Sequence, residues 1–222
     1  MRYRVGILAF VFTAVFPTFA KAQSQIFIPL KFAYPDSILL TPKTYVYKNA
    51  DNDALRYRDV ILKKQDKDVI ISWKEYDKSH LADSSTEING KSSDHYMIMN
   101  GKAIKAVITE DSIYPNGTRF GEKVQTLFFN LSSTISLFQS VHYFFLKDTT
   151  INWHDKPVQS LVIQSFYRQK LSNSLFPDQP KEITGMIYYY FGKDIGLLMY
   201  RSEIENEKLT WQLVDIKESK VE

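Results

Sequence analysis

Histidines 80, 95, 142 and 154 are the only imidazoles in the 222 residues, and cysteine is absent. A zinc centre needs three or four convergent ligands. No two of these histidines stand at i,i+4 on an expected helix, and no His-x-His pair occurs. The expectation is therefore no metal and no cofactor. Trp153-His154-Asp155 sets an acid beside an imidazole, but neighbours on a strand point to opposite faces. Asp155-Lys156 before Pro157 reads instead as a turn between Ile151 and Val158. No Gly-x-Ser-x-Gly elbow supplies a nucleophile. The acids mostly sit at turns or alternate with basic residues, the pattern of a solvated sheet face, although two carboxylates need only meet in space to hydrolyse a glycosidic bond. The residues thus predict a protein that is not an enzyme, with no catalytic residue.

Apolar side chains offer a different chemistry. The densest aromatic run is Tyr188-Tyr189-Tyr190-Phe191. On a strand, Tyr188 and Tyr190 share one face while Tyr189 and Phe191 share the other. Two-sided burial in a core is the plain reading, and one wall of an apolar pocket is the functional one. Met97, Met99, Met186 and Met199 fall in expected strands, and flexible thioethers suit adaptable pockets as well as core gaps. The candidate ligand-binding set is Tyr188, Tyr190, Met186, Phe138 and Met199. Three tripeptides in expected turns, Asp36-Ser37-Ile38, Asp111-Ser112-Ile113 and Asp148-Thr149-Thr150, resemble the O-glycosylation acceptor sites of exported Bacteroidetes proteins. Ser37, Ser112 and Thr149 are the candidate acceptors.

Residues 1–22 carry Arg2 and Arg4, then an almost wholly apolar run from Val5 to Phe16, then Pro17 and Ala20-Lys21-Ala22. This is the charged, apolar and small-residue pattern of a cleavable secretory signal. The apolar run is about twelve residues, whereas a spanning helix needs roughly twenty. Cleavage is expected to leave residues 23–222 as one domain without a transmembrane span, located in the periplasm or outside the cell. No cysteine follows to take a lipid. Of 28 basic residues, Arg2, Arg4 and Lys21 belong to the signal, which leaves 25 against 25 acids. A neutral mature chain gives no reason to expect nucleic acid as a partner. Composition, 44% hydrophobic and 14% aromatic, is that of a folded chain. Its stability must come from burial, because no disulfide can form.

The elements that position these residues are mostly strands. An opening strand is expected near residues 26–32. Val69, Ile71 and Trp73 alternate with polar residues, as on a half-buried strand, with residues 56–64 as the partner. Asn100-Gly101 lies between apolar alternations and predicts a two-residue hairpin. Residues 124–129 and 158–168 continue the strand pattern. Residues 183–191, 195–204 and 208–216, joined by short polar links, predict an antiparallel meander. One stretch departs from this pattern. Leu137, Phe138, Val141, Phe144 and Phe145 follow a helical spacing behind Ser132, Ser133 and Thr134, so a helix is predicted over residues 133–143. The same aromatic and β-branched content would also permit a strand. The fold class is mainly β: roughly nine antiparallel strands curved into a half-barrel around one helix, or alternatively a β-sandwich.

Two segments carry a family likeness: Leu131-Ser132-Ser133-Thr134-Ile135-Ser136-Leu137-Phe138, and Ile187 to Phe191 continuing through Gly192, Ile195, Gly196 and Leu197 to Tyr200. Together, over about the last hundred residues, they resemble a family of exported bacterial domains that shares a curved half-barrel sheet with the periplasmic lipoprotein carriers. The resemblance implies that fold. In the carriers the open barrel shelters acyl chains. The leading expectation is an exported envelope protein of a Bacteroidetes-like bacterium that holds a lipid, another apolar or amphipathic ligand, or a partner segment in the concavity of its sheet. A structural or adaptor subunit of an envelope complex is the second expectation, and a carboxylate-dependent hydrolase the third.

Overall fold

A computed structural model of the chain describes residues 41–66, 68–77, 80–88, 91–113 and 122–219. Among them are thirteen strands and no helix: β1 Lys43–Asn49, β2 Leu55–Gln65, β3 Asp68–Asp77, β4 His80–Ile88, β5 Lys91–Met99, β6 Lys102–Lys105, β7 Val107–Ile113, β8 Glu122–Asn130, β9 Ile135–Trp153, β10 Lys156–Asn173, β11 Lys181–Gly192, β12 Gly196–Ile204 and β13 Glu207–Glu218. The secretory pattern of residues 1–22, the strand expected near 26–32 and Ser37 lie outside the described residues.

All thirteen strands form one antiparallel sheet in the order β6-β5-β4-β3-β2-β1-β13-β12-β11-β10-β9-β8-β7. The two edge strands, β6 and β7, are consecutive in the chain and separated only by Ala106. Successive Cα atoms are 3.8 Å apart, so the two edges of the sheet must meet. Ala106 N–H donates to the His95 carbonyl at 2.9 Å. The segment from Lys102 to Ile113 therefore pairs with β5 over its first part and with β8 over its second. The half-barrel expectation is corrected to a barrel that is nearly closed, with a seam between β5 and β7. A single sheet also corrects the sandwich alternative, and thirteen strands replace roughly nine.

The predicted helix over 133–143 is corrected to the start of β9, a 19-residue strand. It pairs with β8 along Glu122–Asn130 and with β10 along its whole length. Helical spacing misled because both faces of this strand carry apolar groups. Leu137 and Val141 are buried on one face while Phe138 is exposed on the other. An apolar set of mixed parity can mimic a stripe of period 3.6, and two long neighbouring ladders then decide the conformation.

Local signals elsewhere match the structure. Asn100 (φ 51°) and Gly101 (φ 75°) turn β5 into β6, the positive φ pair that a type I′ hairpin needs. His154 (φ 48°) and Asp155 (φ 60°) do the same between β9 and β10, which pair from Trp153 and Lys156 onward. The meander β11-β12-β13 forms as its short links require. Residues 56–64 pair with the alternating strand that follows, Leu62 opposite Ile71. The tripeptides expected in turns are corrected: Ser112 lies in β7 and Thr149 in β9, each opposite a residue of a neighbouring strand. Aspartate followed by a hydroxyl residue suits a turn, but here the β-branched residues beside it join ladders.

Large side chains fill the inside. Tyr45, Tyr47, Val60, Ile71, Trp211 and Leu213 belong to the main buried cluster. A second cluster, Ala106, Leu127, Phe129 and Leu137, packs under the crossing point of the seam. An eight-stranded barrel is just filled by its side chains, and diameter grows with strand number. A wider barrel leaves space even when its walls carry tyrosine and tryptophan.

Candidate functional site

That space is a cavity of about 330 Å³ inside the barrel. The strands contribute to it at the period of two that a pleated wall dictates: Lys123, Gln125 and Leu127 from β8, Gln139, Val141 and Tyr143 from β9, Ile187, Tyr189 and Phe191 from β11. One side is apolar, formed by Tyr45, Tyr47, Val60, Ile71, Ile163 and Leu197. Tyr45 and Tyr47 are held against the wall by phenol hydrogen bonds donated to the carbonyls of Ile195 (2.7 Å) and Leu197 (2.9 Å).

The opposite side is polar. Asp83, Ser85 and Glu87 of β4 face Ser92 and His95 of β5 and Lys123 of β8. Glu110 of β7 reaches across the seam. Its Oε2 lies 3.1 Å from Lys123 Nζ and accepts from the Ser92 N–H at 3.1 Å. Gln125 Nε2 donates to Ser92 Oγ. Side chains thus bridge β5 to β7 and β8 where no backbone ladder does. Burial pushes the Glu87 carboxyl above its ordinary range; Lys123 opposes the shift, Glu110 adds to it and Arg58 opposes it. Burial likewise pushes the Tyr143 phenol up, and that of Tyr167 up to about 12.

A charged cluster closes one part of the wall. Glu75 carries Arg58 on one carboxylate oxygen, with Nε at 3.0 Å, and Arg56 on the other at 3.2 Å. Arg56 Nη1 also donates to the Tyr200 hydroxyl at 2.7 Å. The Arg58 guanidinium stacks 4.7 Å above Trp73, and that of Arg56 4.3 Å above Trp211. Two arginines on one glutamate, each over an indole, are satisfied structural pairs.

His95 faces the cavity with Nε2 3.1 Å from Asp83 Oδ1, and Ser85 stands opposite it in the ladder. Serine, histidine and aspartate gather on one wall, but Ser85 Oγ donates to the Asp94 carbonyl at 3.0 Å. A nucleophilic serine must give its proton to the imidazole, so this arrangement is not a triad. His142 lies on Glu122 at 3.0 Å, outside the cavity lining, and His154 sits at its turn 3.2 Å from the Val214 carbonyl. Among the described residues no cluster of three or more metal-ligating side chains forms.

The structure places the five sequence-derived ligand residues elsewhere. Ile187, Tyr189 and Phe191 line the cavity, so Met186, Tyr188 and Tyr190 point from the other face of β11. There Tyr190 pairs with Met199, Tyr188 lies beneath the Arg201 guanidinium at 5.7 Å, and Met186 pairs with Phe166. Phe138 stands apart from these on β9, opposite Phe128. None of the five lines the cavity. Sequence reasoning missed Arg58, Asp83, Glu87, His95 and Lys123. The available signal was alternation, since Asp83-Ser85-Glu87 and Lys123-Gln125-Leu127 each occupy one face, but polar residues on a strand are read by default as facing water.

No protein-family model and no curated protein matches the chain. Two crystal structures share the fold. One is a "putative lipoprotein" from Parabacteroides distasonis, 14% identical, with a TM-score of 0.52 over 84% of this chain and 98% of that one. The other is a "putative exported protein with YmcC-like fold" from Bacteroides fragilis, 13% identical, with a TM-score of 0.51 over 84% of this chain and 99% of that one. At these identities the likeness establishes the architecture, an antiparallel sheet curved toward closure.

Proposed function

We propose that this protein is a non-enzymatic, exported binding protein that shelters an apolar or amphipathic molecule inside its barrel. The observation that carries the reading is the cavity of about 330 Å³ with one aromatic and aliphatic side and one polar side. Small-molecule sites start at about this volume, ~300 Å³, and combine apolar walls with a few fixed polar groups. The signal-like residues 1–22 support export, as does the shared fold with a lipoprotein and an exported protein of two Bacteroidetes species. The engaged Ser85 hydroxyl supports a binding role over a hydrolytic one. A carboxylate-dependent hydrolase would need two free acids. Glu87 is raised as such an acid would be, but its neighbour Glu110 is engaged by Lys123 and Ser92.

The test is a Nile red titration of the purified mature protein, together with native mass spectrometry of the same sample. Saturable binding of one dye per chain is expected, and Ile187→Trp, which fills the cavity, is expected to abolish it while the protein still melts cooperatively. A dye that does not bind, or binds the filled variant equally well, removes the reading.

One observation favours an adaptor role alongside this. Val107, Phe128 and Phe138 are adjacent across β7, β8 and β9 on the outer surface. Leu175 and Phe176, in the β10–β11 link, are 68% and 60% exposed. Exposed apolar groups in one region suit a protein partner. In-cell cross-linking from position 176 separates the two roles: a specific protein adduct supports the adaptor reading, and its absence leaves binding alone.

A further inference from the structure

Among the described residues, Glu87 is a cavity acid without a partner. It stands on β4 with Asp83 and Ser85, on the face that lines the space. The other acids nearby are engaged. Asp83 has His95 Nε2 at 3.1 Å. Glu110 and Glu75, outside the lining, hold Lys123 and the arginines 56 and 58. Glu87 makes no hydrogen bond or ion pair with any described residue, and it is only half-buried. The surface it keeps opens into the cavity. A polar-lined space of about 330 Å³ has room for several waters, and these hydrate its carboxylate.

An apolar molecule that enters this space displaces that water. The loss disfavours the carboxylate far more than the neutral acid, so the occupied barrel holds a proton on Glu87 more tightly than the empty one. Reciprocity requires that a proton on Glu87 strengthen apolar binding by the same factor. The empty protein already shows the direction: burial is the largest cause holding this carboxyl above its ordinary range, with Lys123 opposing, Glu110 adding and Arg58 opposing. The other titratable groups facing the space act differently. On β5, protonation of His95 would bring a new charge against the ligand and weaken binding as pH falls. On β8 and β2, Lys123 and Arg58 are paired with Glu110 and Glu75. On β9, β10 and β11, burial holds the phenols of Tyr143, Tyr167 and Tyr189 above their ordinary value of 10, so they stay neutral. On β1, Tyr45 and Tyr47 donate to carbonyls. Asp83 shares the sign of Glu87 but sits against His95, and substitution of Glu87 separates the two.

We propose that loading of an apolar molecule into the barrel is coupled to proton uptake by Glu87, so that the protein takes up its ligand in mildly acidic surroundings and releases it as pH rises. This inference rests on the binding role proposed above and adds its regulation. Affinity is highest below the Glu87 value of the empty protein. It falls as pH rises through the window between that value and the higher one of the complex, and is level again above it.

The test displaces bound Nile red with decan-1-ol, a probe without an ionisable group, at about pH 5 and about pH 8, the affinity of the dye itself being determined at each. Decan-1-ol is expected to bind about tenfold tighter at the lower pH, the effect of one proton whose pKa moves by about one. Equal affinity at the two pH values, or tighter binding at the higher one, overturns the coupling and leaves the cavity reading intact. Displacement at neither pH overturns both. Glu87→Gln is expected to bind decan-1-ol equally at the two pH values, close to the acid affinity of the parent. A variant that keeps the pH dependence of the parent assigns the proton to another group and overturns the inference. A second readout needs only the parent protein: decan-1-ol added in weakly buffered solution between these pH values should raise the pH, because a fraction of a proton per chain is taken up. Proton release, or no change on saturable binding, would contradict the coupling.

Discussion

Glu87 ties the chemistry of single side chains to a measurable property of the fold. Burial holds its carboxyl above the unfolded value of 4.5, so between 4.5 and the folded value the native state binds more protons than the unfolded state. Linkage then makes stability fall as pH rises through that window. The stabilising contribution is full below 4.5 and is lost once pH passes the raised value. Glu87→Gln should remove this slope, giving a melting temperature that changes less between mildly acidic and neutral pH than that of the parent. An unaltered slope would mean Glu87 is solvated. Two glycines predict costs of different origin. A Cβ on Gly185 would stand 2.5 Å from the Glu203 carbonyl oxygen, so Gly185→Ala should lose about 1–3 kcal/mol by overpacking. Gly101 has open space but a φ of +75°, so Gly101→Val should lose about 1–2 kcal/mol from conformation alone. Urea denaturation measures both. At this scale the candidate site was poorly legible in the sequence. The interior carries Arg58, Asp83, Glu87 and Lys123, and the exterior carries Phe128, Phe138 and Phe166. Hydropathy by parity therefore pointed to the face of β11 that does not line the cavity.

Elements were more legible where the chain reverses than where it runs straight. Asn100-Gly101 and the links of the β11-β12-β13 meander encode their geometry in a few backbone angles, which sequence reports directly. β9 does not: its 19 residues are apolar on both faces at its start, and only the ladders to β8 and β10 exclude a helix. The seam could not be read at all, because it depends on Ala106 passing the chain from one edge of the sheet to the other. Its side-chain bridge is a buried pair, Lys123 at 10% and Glu110 at 9% exposure. Removing one partner of a buried pair leaves the other charge uncompensated, at a cost of about 3–5 kcal/mol. Lys123→Met should destabilise by about this amount, and adding Glu110→Gln should recover most of it. Equal stability of the single and double variants in thermal melts would mean the seam does not depend on this pair.

The described strands form a sheet whose consecutive edge strands bring it round on itself, with aromatic staves, a polar side next to the Glu110 bridge, and a space between them. The chain's likeness to two Bacteroidetes proteins extends over 84% of its length, which places the described strands in a recurrent architecture. The mainly-β class was evident from alternation and turn chemistry; closure was not, since it is a property of strand order. The central claim is that ligand enters the barrel interior and not the apolar outer surface. Methyl NMR of isotope-labelled protein, titrated with decan-1-ol, tests it most directly. The methyls of Val60, Ile71, Val141, Ile163, Ile187 and Leu197, all on the cavity wall, should shift together and saturate, while exposed Val107, Leu175 and Val214 stay in place. Shifts confined to the exposed set, or no saturable shift of the interior methyls, would contradict it.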